Sequence, residues 1–136
     1  MVYFNYMKNL NKSICFDIDN VICKTVKSNY IKSKPIKKNI KFINHLYDQG
    51  HTIKIFTARY MGRTGDNAAE AKKKAKKIIL NQLKKWKVKF HKIYFGKPSS
   101  DFYIDDKNLN FKSNWIKHLK KLLNEKKLTK FRYFKN

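Results

Sequence analysis

The chain has 136 residues, of which 42% are hydrophobic and 31% charged, and a formal net charge of +24 at pH 7. This length supports one domain with a buried core, so we expect residues 1–136 to fold as a single domain, and a separate substrate-binding domain is excluded. Because no stretch approaches the roughly 20 consecutive apolar residues of a transmembrane helix, we expect a soluble protein. We also expect no membrane partner, and the alternative is a basic amphipathic helix near the end of the chain that binds a membrane surface.

The cysteine content favours a reducing, cytoplasmic location. Cys15 and Cys23 are the only cysteines, and their spacing matches neither a disulfide framework nor a CxxC metal motif. We therefore expect both thiols to be packing residues of the core.

The positive charge has two interpretations. Of 33 basic residues only three are arginine, and lysine is accompanied by many asparagine and isoleucine residues. This composition is typical of exposed positions in a protein encoded by an AT-rich genome, whereas nucleic-acid-binding proteins often prefer arginine for its planar guanidinium group. The alternative is that the surface attracts a polyanionic partner such as nucleic acid. In either case the surface field concentrates ligands that carry phosphate.

The first half of the chain predicts a strand, a helix and a second strand. After residues 1–12, which we interpret as a possible N-terminal extension, a β-prone run covers Ser13–Phe16. Apolar residues at helical spacing predict a helix over Ile36–Gln49, and Gly50 suits the left-handed position that ends a helix. The run Thr52–Phe56 predicts the next strand.

The second half continues the alternation. A long apolar stripe predicts a helix over Ala68–Trp86, with Asp66 or Asn67 as its N-cap. Short β-prone runs predict strands over Lys92–Phe95 and Phe102–Ile104.

The last segment, residues 114–136, predicts an amphipathic helix over Asn114–Asn124 followed by a tail. Strands that alternate with helices through short connections are typical of the α/β class. We therefore expect a Rossmann-like three-layer sandwich with a mostly parallel central sheet.

Polar residues follow each predicted strand directly or within two residues. In parallel sheets the ligand crevice lies beyond the carboxyl ends of the strands, so these residues are expected to meet there. In chain order they are Asp17 and Asp19, Thr57, Lys97, and Asp105 with Asp106.

The two acidic pairs predict a divalent cation. Asp17, Asp19, Asp105 and Asp106 account for four of only nine carboxylate side chains. Carboxylates brought together repel one another unless a hard cation or a shared proton compensates, and Mg²⁺ with oxygen ligands is the usual solution. The alternative is that these aspartates are turn or helix-cap residues.

The ordered segments DIDNV (17–21), FTAR (56–59), GKP (96–98) and YIDD (103–106) resemble the four motifs of the haloacid dehalogenase superfamily of phosphotransferases. The resemblance covers residues 13–110. One departure from the commonest phosphatase pattern is Asn20, which stands directly after Asp19 where glycine is frequent.

The resemblance implies a catalytic role for both residues of the first acidic pair. Asp17 would attack phosphorus and form an aspartyl-phosphate. Asp19 would protonate the leaving oxygen and then activate the hydrolytic water.

The resemblance also implies residues that bind phosphate and metal. Thr57, the neighbouring backbone at Ala58, and Lys97 would hold the phosphoryl group. Asp105 and Asp106 would complete a Mg²⁺ site whose other ligands are Asp17 and the backbone carbonyl of Asp19. Three further residues near these motifs are candidates for contact with substrate: Arg59, Asn20 and Lys24.

Many members of that superfamily carry an inserted cap domain, and the short intervals between these motifs predict that this chain has none. NVICKT (20–25) and FGKPSSDFYIDDK (95–107) resemble small bacterial phosphatases of capsule or surface-polysaccharide biosynthesis, which implies a sugar phosphate as substrate. A phosphatase for nucleic-acid ends or nucleotides and a non-catalytic basic binding module remain alternatives, and a homo-oligomer is compatible with the sequence.

Overall fold

Three parallel strands form the centre of the fold. In the computed structural model, which describes residues 11–133 with side chains through residue 124, they are β1 (Ser13–Phe16), β4 (Thr52–Thr57) and β5 (Lys92–Phe95), hydrogen-bonded in that order. Ser13 is in register with Thr52, and Thr57 with Phe95. The carboxyl ends of all three strands therefore lie along one edge of the sheet.

One face of this sheet is the core face. Along β4 the side chains of Ile53, Ile55 and Thr57 are fully buried, and the alternate residues are half-buried. Successive side chains of a strand point to opposite faces, so β-branched residues at alternate positions supply a continuous buried surface. The same alternation places Cys15 on the opposite face of β1, where it is exposed, and the prediction that it packs in the core is wrong.

Helix α1 (Lys37–Asp48) connects the first two strands of the sheet and packs against β4. Its core residues, Ile40, Ile43 and Leu46, recur at helical spacing and are buried. The helix ends before Gly50, whose φ of 92° is the left-handed conformation that the sequence predicted there.

Helix α2 (Ala68–Lys85) connects β4 to β5 and packs against β5. Asn67 is its N-cap, because its side chain accepts a hydrogen bond from the backbone N–H of Glu70. The buried stripe begins with the small residues Ala71 and Ala75, which allow the helix to approach the sheet closely.

A second, two-stranded antiparallel sheet precedes α1, and the sequence did not predict it. Strands β2 (Cys23–Lys24) and β3 (Lys34–Pro35) have two residues each, too few for a periodic pattern. A 3-10 turn at Tyr30–Lys32 lies between them. Cys23 is buried, as predicted.

The predicted fold class is confirmed: the chain is a small Rossmann-like α/β fold with a parallel sheet. In the described part of the chain the interval between β1 and β4 contains only the small sheet, a 3-10 turn and α1. The interval between β4 and β5 contains a 3-10 turn and α2. The described intervals thus hold no cap domain.

The described residues group into two compact units, of which the first is Lys12–Asp101. The second includes residues 102–133 and carries helix α3 (Trp115–Tyr133), longer than predicted. Among the helices of the described residues, none combines the length and the apolar character needed to cross a bilayer.

The predicted strand Phe102–Ile104 is not formed. These three residues have no regular secondary structure, and the exposed fractions of Phe102 and Ile104 are 86% and 101%. A three-residue run offers few ladder hydrogen bonds, and β-propensity stabilises a strand only where its side chains pack on a neighbour. Most of the predicted extension, residues 1–10, and the tail end, residues 134–136, lie outside the described residues.

Candidate active site

The carboxyl edge of the sheet brings together residues that are far apart in the sequence. Lys97, two residues beyond β5, places its Nζ 3.3 Å from Oδ2 of Asp17, which directly follows β1, although 80 positions separate them. The backbone N–H of Lys97 donates to the carbonyl oxygen of Thr57 at 3.1 Å, which extends the pairing of β5 with β4. Three strand ends thus contribute to one site.

Asp17 is a partly buried carboxylate whose pKa is raised by burial and lowered by a neighbouring lysine. Its side chain is 34% exposed, and its Oδ1 accepts a hydrogen bond of 2.8 Å from the backbone N–H of Ile18. Burial raises the pKa of Asp17, while the ammonium group of Lys97 acts in the opposite direction and does not fully compensate. Asp17 is therefore a carboxylate whose charge is only partly offset by the protein.

Asp19 is held by a buried arginine. Nε of Arg59 lies 3.1 Å from each carboxylate oxygen of Asp19, and Nη2 lies 2.9 Å from Oδ1. The hydroxyl of Thr25 donates to the same Oδ1 at 2.6 Å. Oδ2 of Asp19 therefore has fewer protein partners than Oδ1 among the described contacts.

The guanidinium of Arg59 is enclosed by protein. Its side chain has no exposed surface, Nη1 donates to Oε1 of Gln82 at 2.6 Å, and Nη2 lies 3.3 Å from Oγ of Ser33. Its Cζ lies 4.9 Å from the ring centroid of Tyr30, a cation–π contact. Sequence analysis suggested that Arg59 contacts substrate, but its partners in the structure are protein groups around Asp19.

Sequence analysis missed the supporting residues of this network. Thr25 and Ser33 carry no local signal, because short polar residues are common in loops. Gln82 carries a weak one, since it is a polar residue on the apolar stripe of α2 between Ile79 and Trp86. Its Nε2 donates to the backbone carbonyl of Tyr30 at 2.6 Å, so both the amide nitrogen and the amide oxygen of Gln82 have hydrogen-bond partners.

Thr57 ends β4 and is fully buried. Its Oγ1 accepts a hydrogen bond of 3.1 Å from the backbone N–H of Arg59, which closes a tight turn around the half-buried Ala58. A threonine hydroxyl that accepts one bond still has a proton to donate. Thr57 can therefore serve as a donor at the carboxyl edge.

The other two candidates for contact with substrate lie in the loop after Asp19. Asn20 is exposed with a φ of 66°, and its backbone N–H donates to the carbonyl of Cys23 at 2.6 Å. Lys24 is exposed in β2. Neither has a described side-chain contact with Asp17 or Asp19.

The second predicted acidic pair belongs to the second unit. Asp105 and Asp106 are both exposed, and Oδ1 of Asp105 accepts from the backbone N–H of Lys107 at 2.8 Å. Among the described side chains, no three or more histidine, cysteine, aspartate or glutamate residues cluster closely enough to hold a metal ion. The four-aspartate magnesium site therefore stays a prediction.

The donor chemistry of the first unit suits magnesium in part. Mg²⁺ is commonly bound by one or two carboxylates together with waters and substrate phosphate, and the Asp17 carboxylate and the backbone carbonyl of Asp19 are hard oxygen donors. The side-chain carboxylate of Asp19 is occupied by Arg59. The predicted division, in which Asp17 ligates by its side chain and Asp19 by its backbone, is compatible with that pairing.

Comparison with known proteins supports the fold. No protein-family model matches the chain, and no curated protein matches it. The crystal structure of a structural-genomics target from Vibrio cholerae is similar, with a TM-score of 0.73 and 25% sequence identity over 85% of this chain and 98% of that one. The likeness extends over nearly the whole of that protein, as expected for a shared α/β architecture.

Proposed function

We propose that this protein is a Mg²⁺-dependent phosphomonoesterase of the haloacid dehalogenase type that acts through an aspartyl-phosphate on Asp17. The observation that supports this proposal best is the contact between Lys97 and Asp17 at the carboxyl edge of the sheet, 3.3 Å apart across 80 residues. A lysine beside a partly buried aspartate at the edge where parallel sheets bind ligands would support phosphoryl transfer to that carboxylate, because the ammonium group offsets the negative charge of the phosphoryl oxygens.

The first step transfers the phosphoryl group to the protein. One carboxylate oxygen of Asp17 forms a bond to phosphorus while the bond from phosphorus to the ester oxygen breaks. Lys97 offsets the negative charge of the phosphoryl oxygens, and the hydroxyl of Thr57 with the backbone at Ala58 donates hydrogen bonds to them. The departing oxygen takes a proton from Asp19, which must therefore carry a proton on Oδ2 when the ester binds, beside the Arg59 contact to Oδ1.

The second step returns the enzyme to its starting state. Asp19 removes a proton from water, the water oxygen attacks phosphorus, and Asp17 is released together with inorganic phosphate. Arg59 and Thr25 contribute by orientation, because Oδ1 of Asp19 accepts from both of them, while Oδ2 accepts only from Nε of Arg59 among the described contacts and keeps spare acceptor capacity. Arg59 is thus a positioning residue in this proposal.

A bound magnesium ion supplies positive charge that offsets the repulsion between the carboxylate of Asp17 and an anionic phosphate ester. Asp17 and the backbone carbonyl of Asp19 would hold it, with Asp105 and Asp106 as the further ligands that the sequence resemblance implies. We propose a sugar phosphate of surface-polysaccharide synthesis as substrate and a cytoplasmic location, both from that resemblance.

The experiment is phosphate release from p-nitrophenyl phosphate and a panel of sugar phosphates, with and without Mg²⁺, beside the Asp17→Asn variant. We expect activity that needs Mg²⁺ and is abolished by Asp17→Asn, with a phosphoryl label on the wild type that hydroxylamine removes. Turnover that survives Asp17→Asn would overturn the nucleophile. Absence of turnover on p-nitrophenyl phosphate and on every sugar phosphate, with Mg²⁺ present, would overturn the proposed phosphomonoesterase activity.

A further inference from the structure

A cationic groove with a volume of about 820 Å³ lies between one face of α1 and the carboxyl end of α2, within the first unit. Five lysines and one tryptophan among its lining residues define what we name the lysine groove: Lys34, Lys37, Lys41, Lys85, Lys87 and Trp86. All five lysines are exposed and Trp86 is half-buried. Part of the positive charge is therefore concentrated in one concave surface around an aromatic ring.

The groove has a fixed framework. Asn44 of α1 donates from Nδ2 to the carbonyl of Lys87 at 2.9 Å and accepts at Oδ1 from the backbone N–H of Lys89 at 2.8 Å. These two bonds hold the turn after α2, in which Lys87 has a φ of 57°, against α1. Trp86 and its flanking lysines are thus positioned by a side-chain clamp.

The negative charge in the groove is already neutralised. Asp48 is the one acidic residue among those that line it, and its Oδ1 lies 2.7 Å from Nζ of Lys89, a pair exposed to solvent. The remaining charged groups of the lining are lysines. An anionic ligand in the groove therefore meets no unpaired carboxylate among the described lining residues.

One end of the lysine groove reaches the network around Asp19. Ser33 lines the groove, and its Oγ lies 2.7 Å from the hydroxyl of Thr25 and 3.3 Å from Nη2 of Arg59. Both of those groups contact Asp19 directly. A ligand in the groove would extend away from the proposed catalytic edge.

We propose that the lysine groove binds single-stranded nucleic acid, with consecutive phosphates on its lysines and a base stacked on Trp86. Five cations in one groove match several phosphates, whereas a sugar monophosphate offers one. An aromatic ring among cations is the combination that single strands use, because every base has a face that can stack. Binding is independent of the proposed phosphatase activity, so it can be tested without turnover.

The test is fluorescence anisotropy with a labelled oligothymidylate of about twelve nucleotides. With five phosphate contacts, raising the salt from about 50 to 200 mM should weaken binding roughly a hundredfold, since about 0.7 counterions are released per contact on a single strand. The double variant Lys37→Glu/Lys41→Glu should weaken binding at least tenfold at low salt. An affinity unchanged by that variant would overturn the proposal.

The matched control is Lys73→Glu/Lys77→Glu. It changes the same charge at the same helical spacing, on exposed lysines of α2 that do not line the groove. We expect it to weaken binding only a few-fold. If both double variants weaken binding equally, the oligonucleotide responds to the net charge of the protein and the groove is not its site.

Trp86 gives an independent readout, because the chain has two tryptophans and the other, Trp115, is buried. The oligonucleotide should quench the fluorescence of the wild type and not that of Trp86→Phe, while Trp86→Leu should weaken binding about tenfold. A thermal melt of each variant reports on folding. Quenching that persists in Trp86→Phe, or a mononucleotide that binds as tightly as the oligonucleotide, would overturn the proposal.

Discussion

Arg59 and Asp19 form an ion pair across 40 residues in which the arginine has no exposed side-chain surface and the aspartate keeps 23% of its own. The pair joins the loop after β1 to the end of β4. A charge without solvent is tolerated only when it is paired and its remaining donors are satisfied, and Gln82, Ser33 and the ring of Tyr30 complete that environment. The pair therefore fixes one catalytic candidate, Asp19, through the fold itself.

Replacing Arg59 by methionine should destabilise the protein by about 3 kcal/mol, because Asp19 is left without its partner while the apolar volume is largely retained. The stability of Arg59→Lys should lie between that of Arg59→Met and that of the wild type, since lysine restores the charge without the planar fork of arginine. Urea unfolding followed by circular dichroism measures both. A change below about 0.5 kcal/mol for Arg59→Met would show that the pair is not a structural requirement.

Asp17 and Asp19 should respond in opposite directions to replacement by asparagine. The pKa of Asp17 is raised, chiefly by burial, so its ionised form is less stable in the folded protein than in the unfolded chain. Asp17→Asn should therefore raise the melting temperature of the metal-free protein at pH 7 by up to a few degrees. Asp19→Asn should lower it, because Arg59 then lacks its counter-charge.

The difference in melting temperature between Asp17→Asn and the wild type should depend on pH, because the pKa of Asp17 is raised in the folded protein. Below the unfolded pKa of aspartate, about 3.9, Asp17 is protonated in both states and its burial has no charge penalty. As pH rises through that value and through the raised pKa of folded Asp17, the ionised carboxylate destabilises the fold. The advantage of Asp17→Asn should thus be largest at neutral pH and vanish near pH 3. A constant difference in melting temperature across this range would contradict the assigned cause.

Positions along the sheet edge could be predicted from the sequence, and side-chain pairing could not. Short β-prone runs locate β1, β4 and β5, and the geometry of a parallel sheet then brings Asp17, Thr57 and Lys97 to one edge. No local pattern encodes which side chain Arg59 meets 40 residues away.

The strand predicted at Phe102–Ile104 shows where composition alone is not enough. Its three residues are of β-prone types, but β-propensity stabilises a strand only when a neighbouring strand is present to pair with it. The small β2 and β3 sheet was missed for a related reason, because its two-residue strands are defined by the turn between them and not by periodicity.

If the proposed mechanism holds, Lys97→Met should lower kcat roughly a hundredfold or more with a smaller effect on KM, because the ammonium group of Lys97 would offset charge that develops during phosphoryl transfer. Lys92→Met is the matched control, since Lys92 is an exposed lysine at the start of β5, the strand that precedes Lys97, and lies away from the carboxyl edge. Steady-state kinetics with p-nitrophenyl phosphate compare them. Equal losses in the two variants would remove Lys97 from the proposed mechanism.

Gly96 connects the packing of α2 to the position of Lys97. Its φ is 88°, and a Cβ atom built there would lie 2.7 Å from the Cβ of Ala68, the first residue of α2. Gly96→Ala should therefore force the helix start away from the end of β5 and destabilise the protein by roughly 2 kcal/mol or more, from backbone strain and steric overlap together.

Gly65→Ala separates these two contributions. Gly65 also has a positive φ, 60°, but a Cβ there meets nothing within 4 Å, so only the backbone strain of about 1 kcal/mol applies. Urea unfolding of both variants should rank Gly96→Ala as the less stable. Gly96→Ala should also lose the proposed phosphatase activity below its melting temperature, because Lys97 would be displaced from Asp17. Equal stability of the two variants would mean that the start of α2 can move away from Gly96 at no cost in stability.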